Sequence, residues 1–184
     1  RSSTASTYNT AVGRSSQRGP NNEAQFHTGE RNTSVGAGSM KVITTGNDNT
    51  AVGYWSQYGA SITGDFNTSI GSNSLKNLVS GDKNISVGHE AGDVITSGSN
   101  NVIIGTGSDP SASSASNQTV IGYNVAGQAD NSVTLGNADV TDIYMAQDKG
   151  ATVHAAGADL SGSTGLILEN DETITNSTDG TVLI

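Results

Sequence analysis

One short phrase recurs eight times in this chain: NTAVG at Asn9, NTSVG at Asn32, NTAVG at Asn49, NTSIG at Asn67, NISVG at Asn84, NVIIG at Asn101, QTVIG at Gln118 and NSVTLG at Asn131. The closing glycines stand at 13, 36, 53, 71, 88, 105, 122 and 136, spaced 17 or 18 residues apart in the middle, 23 at the start and 14 at the end. A unit this short cannot bury its own apolar face. It becomes stable by stacking on copies of itself, so the chain is expected to form a solenoid.

Each phrase has the chemistry of a strand leaving a turn. Asn supports the turn through side-chain bonds and tolerance of left-handed geometry, β-favouring residues follow, and Gly closes where a side chain would obstruct a bend or a neighbouring rung. The residue before the glycine is never polar: Val12, Val35, Val52, Ile70, Val87, Ile104, Ile121 and Leu135. These residues are expected to form the core ladder. On the same face of a period-2 strand stand Thr10, Thr33, Thr50, Thr68, Ile85, Val102, Thr119 and Val133. The opposite face carries Ala11, Ser34, Ala51, Ser69, Ser86, Ile103, Val120 and Thr134. It too is uncharged, which predicts cover on both sides and assigns these residues to contacts with neighbouring subunits.

Looser segments follow the glycines: 40–45, 57–63, 75–80 and 93–97, ending at or near Thr-Gly or Ser-Gly turns. They predict a second strand per rung and a flat all-β roll. Eight rungs about 4.8 Å apart would make a rod roughly 40 Å long.

Leu, Ile, Val and Phe total 35 of 184 residues, and the net charge is −9, a composition that without the repeat would read as disorder. With the repeat it reads as a thin core completed by packing several chains together. The absence of cysteine excludes disulfides and thiolate metal sites and leaves the compartment open. A pI near 4.4 argues against a nucleic-acid partner, whose phosphates require Lys and Arg. No apolar run is long enough to insert in a membrane, and 1–20 has no signal-peptide h-region.

Residues 1–8 read as the end of a preceding rung or a linker, 9–145 as the roll, and 146–184 as a different β module. The opening Arg1 and the closing Val182-Leu183-Ile184 lead us to expect a piece of a longer polypeptide. Two stretches, 17–28 and 108–117, are expected to bulge as loops and are candidate contact sites.

The phrases NTAVGYWSQ at Asn49, NTSIGSNSL at Asn67, NISVGHEAG at Asn84 and NSVTLGNADVTDIY at Asn131 resemble the repeats of bacteriophage tail-fibre proteins and, more distantly, the head repeats of trimeric autotransporter adhesins. The closing GLILENDETITNSTDGTVLI is similar to shaft segments of phage fibres. The resemblance implies a left-handed parallel β-roll, a homotrimer about a common axis, location on a virion or extracellular surface, and attachment to a host-surface glycan or protein.

Other chemistry is weakly signalled. His89-Glu90 resembles the start of a zinc-binding HExxH, but the fifth position is Asp93 and the stretch is not helical. The Asn and Asp of 46–49 and 170–172 are explained by turns better than by calcium, and no cofactor is expected. The acids Glu23, Glu30, Asp65, Asp82, Glu90 and Asp93 fall on different rungs, so catalysis is not expected, and a tailspike-like glycan depolymerase is the alternative. An ice-binding solenoid is a further alternative, disfavoured here because the Thr ladder shares its face with the expected core and is broken at Ile85 and Val102. Sequons at Asn32, Asn67, Asn84, Asn117 and Asn176 fall out of the repeat itself. Tyr54, Trp55, Tyr58 and Phe66 gather near one rung, and Trp55 and Tyr58 are candidate glycan contacts, with packing as the simpler explanation.

Overall fold

A computed structural model describes residues 8–19 and 28–145. The described chain is an all-β solenoid. Its strands are β1 (Thr10–Val12), β2 (Thr33–Val35), β3 (Thr50–Val52), β4 (Thr68–Ile70), β5 (Ile85–Val87), β6 (Val102–Ile104), β7 (Gln118–Ile121) and β8 (Ser132–Leu135). They lie side by side in chain order in one parallel sheet, with the repeated phrases in register, for example Thr50↔Thr68, Ala51↔Ser69 and Val52↔Ile70. Each rung carries one strand rather than the expected two. The second segments still stack, with Thr63 N bonding Val79 O at 2.8 Å and Val79 N bonding Thr96 O at 2.9 Å, but only isolated bridges such as Ile43↔Ile62 and Ser99↔Ser116 form there.

The opening asparagine is the main polar support of the stack. Asn49, Asn67, Asn84 and Asn101 are fully buried. Asn67 shows the pattern: its Nδ2 donates to Gly81 O at 2.8 Å and to Asn49 Oδ1 at 3.1 Å, while its Oδ1 accepts from the backbone N of Asn84 at 2.9 Å and from Asn84 Nδ2 at 3.0 Å. An amide carries both donors and acceptor, so one residue type can repeat up the rod with its bonds satisfied. The sequons at Asn32, Asn67 and Asn84 are sealed inside this ladder. Glycine is required beside it by close approach: a Cβ on Gly64 would strike the carbonyl of Gly81, and one on Gly71, at φ +139°, that of Gly88.

The expected core ladder is on the outside. Val12, Val35, Ile70, Ile104, Ile121 and Leu135 are exposed and Val52 and Val87 half-buried, whereas Ser34, Ala51, Ser69, Ser86, Ile103 and Val120, assigned to subunit contacts, are buried within the chain. At the two end rungs Ala11 is exposed and Thr134 half-buried. The second segments give the physical reason, because they fill the interior with Met40, Ile43, Ile62, Leu75, Leu78 and Ile95, all fully buried. Opposite these the strand centre has room only for Ala or Ser. Where the following segment brings small residues, as Ser108 and Ala115 do after β6, the strand itself supplies Ile103. The apolar core falls into two clusters, Met40 to Ile62 and Leu75 to Val125. At the position in the stack between Met40 and Leu75 lies Gln57, buried with neither side-chain nitrogen nor oxygen hydrogen-bonded.

The stretch 108–117 does not bulge out; it lies in the stack as bends and turns between isolated bridges. Ser113 O accepts from Thr96 N at 2.9 Å, Ala115 O from Asn101 Nδ2 at 2.8 Å, and Asp109 bridges Ala126. Of the other expected loop, 20–27 lie outside the described residues, as does the expected β module 146–184. Chain contacts divide after Asp142.

Candidate functional site

Two surfaces of the solenoid could do something. The first is the outer face of the sheet. Here Thr10, Thr33, Thr50, Thr68, Ile85, Val102, Thr119 and Val133 alternate along each strand with Val12 through Leu135, giving two parallel ladders, one mostly Thr, the other Val, Ile and Leu, without a charge. Rung spacing is about 4.8 Å. Ile70 at 43%, Ile104 at 38% and Ile121 at 38% exposure, with the half-buried Val87 paired between Ile70 and Ile104, form an apolar strip.

The second surface is the corner that follows the closing glycines. The residue two places after the closing glycine has positive φ in the first seven rungs: Ser15, Gly38, Trp55, Asn73, Glu90, Gly107 and Asn124. A bulky aromatic at φ 54° is costly there. Trp55 stacks on Tyr54 with centroids 4.8 Å apart and 16° between planes, and meets Tyr58 at 4.9 Å. Gly38 makes room for the indole, since a Cβ there would lie 2.6 Å from Trp55 Cδ1. Lys41 Nζ donates to Tyr58 Oη at 3.2 Å and lies 5.3 Å from the ring centroid, and Lys76 Nζ stands 5.8 Å from the Trp55 ring. Trp55 and Tyr58, the candidate glycan contacts, are thus together and half-exposed. Tyr54, 50% exposed, joins them, and Phe66 lies on the surface outside this stack. A depression of about 230 Å³ opens beside the rings, lined by Arg14, Ser15, Ala37, Gly38, Lys41, Tyr54 and Trp55.

Farther along the same corner the charge reverses. Asp109 is half-buried, and burial, with Asp93 and Glu90 nearby, pushes its carboxyl from 3.8 up to about 6, while the Val94 amide at 3.4 Å works the other way. Burial, then Glu90, raises Asp93 as well. His89 Nδ1 lies 3.7 Å from Glu90 Oε2 with both side chains about half exposed. No group of three His, Asp or Glu among the described residues has the arrangement of a metal site.

The remaining acids are turn braces. Asp65 Oδ1 accepts from Asn47 N at 2.6 Å and Asp82 Oδ1 from Asp65 N at 2.8 Å, each carboxylate tying down the rung before it. Arg31 grips Asp48 with two bonds of 2.7 and 2.8 Å at the surface; the pair raises the guanidinium and lowers the carboxyl. Lys41 and Lys76 escaped the sequence reading because the members of this corner lie 17 to 23 residues apart. Aligning rungs on the closing glycine would have shown it, since Arg18, Lys41, Tyr58 and Lys76 all stand five places on. Among the described residues no helix is long and apolar enough to cross a membrane. Comparison with protein-family models, with curated proteins and with solved structures gave no match.

Proposed function

We propose that this chain is a shaft segment of an attachment fibre, such as a phage tail fibre or a similar surface adhesin, acting on a virion or cell surface by binding and without catalysis or cofactor. The observation that carries this reading is the uncharged outer face running the length of the sheet. Exposed apolar strips of this extent mark interaction sites. A partner that matches a ladder repeating every 4.8 Å or so over eight strands must carry the same repeat, and another copy of this chain does. The number three follows from the resemblance to fibre and adhesin repeats.

Light scattering across a range of concentrations tests the assembly. A mass three times the 18.6 kDa of one chain is expected, and a monomer at every concentration would remove the shaft reading. Incubation with capsular polysaccharide should release no oligosaccharide, and release would point to the depolymerase instead.

One observation favours a second reading. The Thr ladder does not share a face with the core after all; it lies on the outward side of the sheet, where an ice-binding surface would have to be. Ile85 and Val102 interrupt it in the middle. An ice binder keeps this face free and produces thermal hysteresis as a monomer. A shaft covers the face and produces none.

A further inference from the structure

We infer that the corner built by Tyr54, Trp55 and Tyr58 with Lys41, Lys76 and Arg14 is a binding site for an acidic saccharide. The inference rests on the attachment reading and gives it a ligand class. Sugar rings present flat C–H faces that pack on aromatic rings, and a carboxylate on such a ring adds a charge for Lys and Arg to meet. Both parts are present. Three rings lie in contact, and cations flank them at 5.3 and 5.8 Å.

The charge is placed against the trend of the molecule. A chain of net charge −9 has eight basic residues, and two lysines meet the aromatic rings while Arg14 lines the depression beside them. Arg18 stands at the position of Lys41 one rung earlier, where the Gly19 amide bonds Lys41 O at 2.9 Å. No acid lines either of the two depressions beside the rings, the second of about 450 Å³ beneath Tyr58 and Lys76. Acidic residues collect instead around Asp93 and Asp109.

The residue type at Trp55 points the same way. Equivalent corners share its left-handed backbone but hold Gly, Asn, Ser or Glu, so the aromatic residue is particular to this rung. Here the indole is held over Gly38 with Tyr54 half exposed beside it, so aromatic surface stays open at this corner.

Trp55 is the chain's one tryptophan, so its fluorescence reports on this corner directly. The full-length protein is titrated with tetragalacturonate and, separately, with neutral maltotetraose. A saturable change is expected with tetragalacturonate, weakened about tenfold or more in Lys41→Ala/Lys76→Ala and by added salt, with maltotetraose at least about tenfold weaker. Calorimetry on Tyr58→Ala, whose Trp55 is retained, should show the same loss. No saturable response to tetragalacturonate at about 10 mM would overturn the inference, as would equal binding of maltotetraose. A change of light-scattering mass in Lys41→Ala/Lys76→Ala without any saccharide response would also overturn it, by assigning the corner to contacts between copies. The titration reads the corner whatever the assembly state. A monomer that binds tetragalacturonate removes the shaft and keeps the site, and a trimer that does not bind it removes the site alone.

Discussion

Asparagine 67 shows how much of this fold hangs on a side chain that is neither apolar nor charged. Its amide meets Gly81 O, Asn49 Oδ1 and both nitrogens of Asn84 in a site closed to solvent. In Asn67→Ala the Gly81 carbonyl and the Asn84 amide stay buried without partners, which costs about 1–3 kcal/mol per group. The urea midpoint should fall accordingly, and a shift below about 0.5 kcal/mol would show that water satisfies the ladder. The opening Asn was legible as a turn residue from its repetition. Its place in a continuous ladder was not, because that depends on stacking distance, which composition does not encode. Asp109 gives the residue scale its pH dependence. Its folded pKa, about 6, lies above its ordinary 3.8, so the folded chain holds the proton more tightly than the unfolded one. The stabilisation is complete below about pH 4 and is lost as pH rises through about 6. Half-exposure screens the effect, so Asp109→Asn should flatten, modestly, the decline in melting temperature between pH 4 and pH 7. An unchanged pH profile would mean that another group carries it.

At the scale of the element, the period-2 reading found every strand and chose the wrong face. A three-residue strand offers two outward positions and one inward or the reverse, and hydrophobicity alone put Val and Ile inside. What decides is the volume left by the segment that follows. Ser69 on β4 is followed by Leu75 and Leu78, and Ser86 on β5 by Ala91 and Ile95, while Ile103 on β6 is followed by Ser108 and Ala115. Large and small alternate across the rung so that each layer fills once. This inverse relation is written in the sequence, but it appears only when the strand centre and the following segment are compared rung by rung. It predicts that Ser69→Leu, a gain in hydrophobicity, destabilises by about 1–3 kcal/mol through overpacking against Leu75 and Leu78. The comparison is Thr68→Val on the outward face, which should leave the melting temperature of the same assembly almost unchanged. If Ser69→Leu raised stability, the inward face would have been assigned wrongly a second time.

For the whole molecule, the inverted face moves the assembly prediction from one set of residues to another. Ile103 and Val120 are inside the chain, so charging them would test folding and say nothing of association. The outward ladder tests association. Covering each half-exposed Val or Ile contributes on the order of 1 kcal/mol, against a cost of association of about 4–15 kcal/mol, so contact over one or two rungs would not hold and contact along all eight strands would. Ile70→Glu/Ile104→Glu places two carboxylates in that strip, two rungs apart. In an isolated chain both face water and cost little. In a covered face each is stripped of water with no cation opposite, at several kcal/mol per charge, so the copies separate. The double variant should therefore keep the far-ultraviolet spectrum of the parent, scatter as a monomer and melt at a lower temperature. A variant that scatters and melts as the parent does would show that this face is open in the native protein, and the ice-binding reading of the Thr ladder would then stand first.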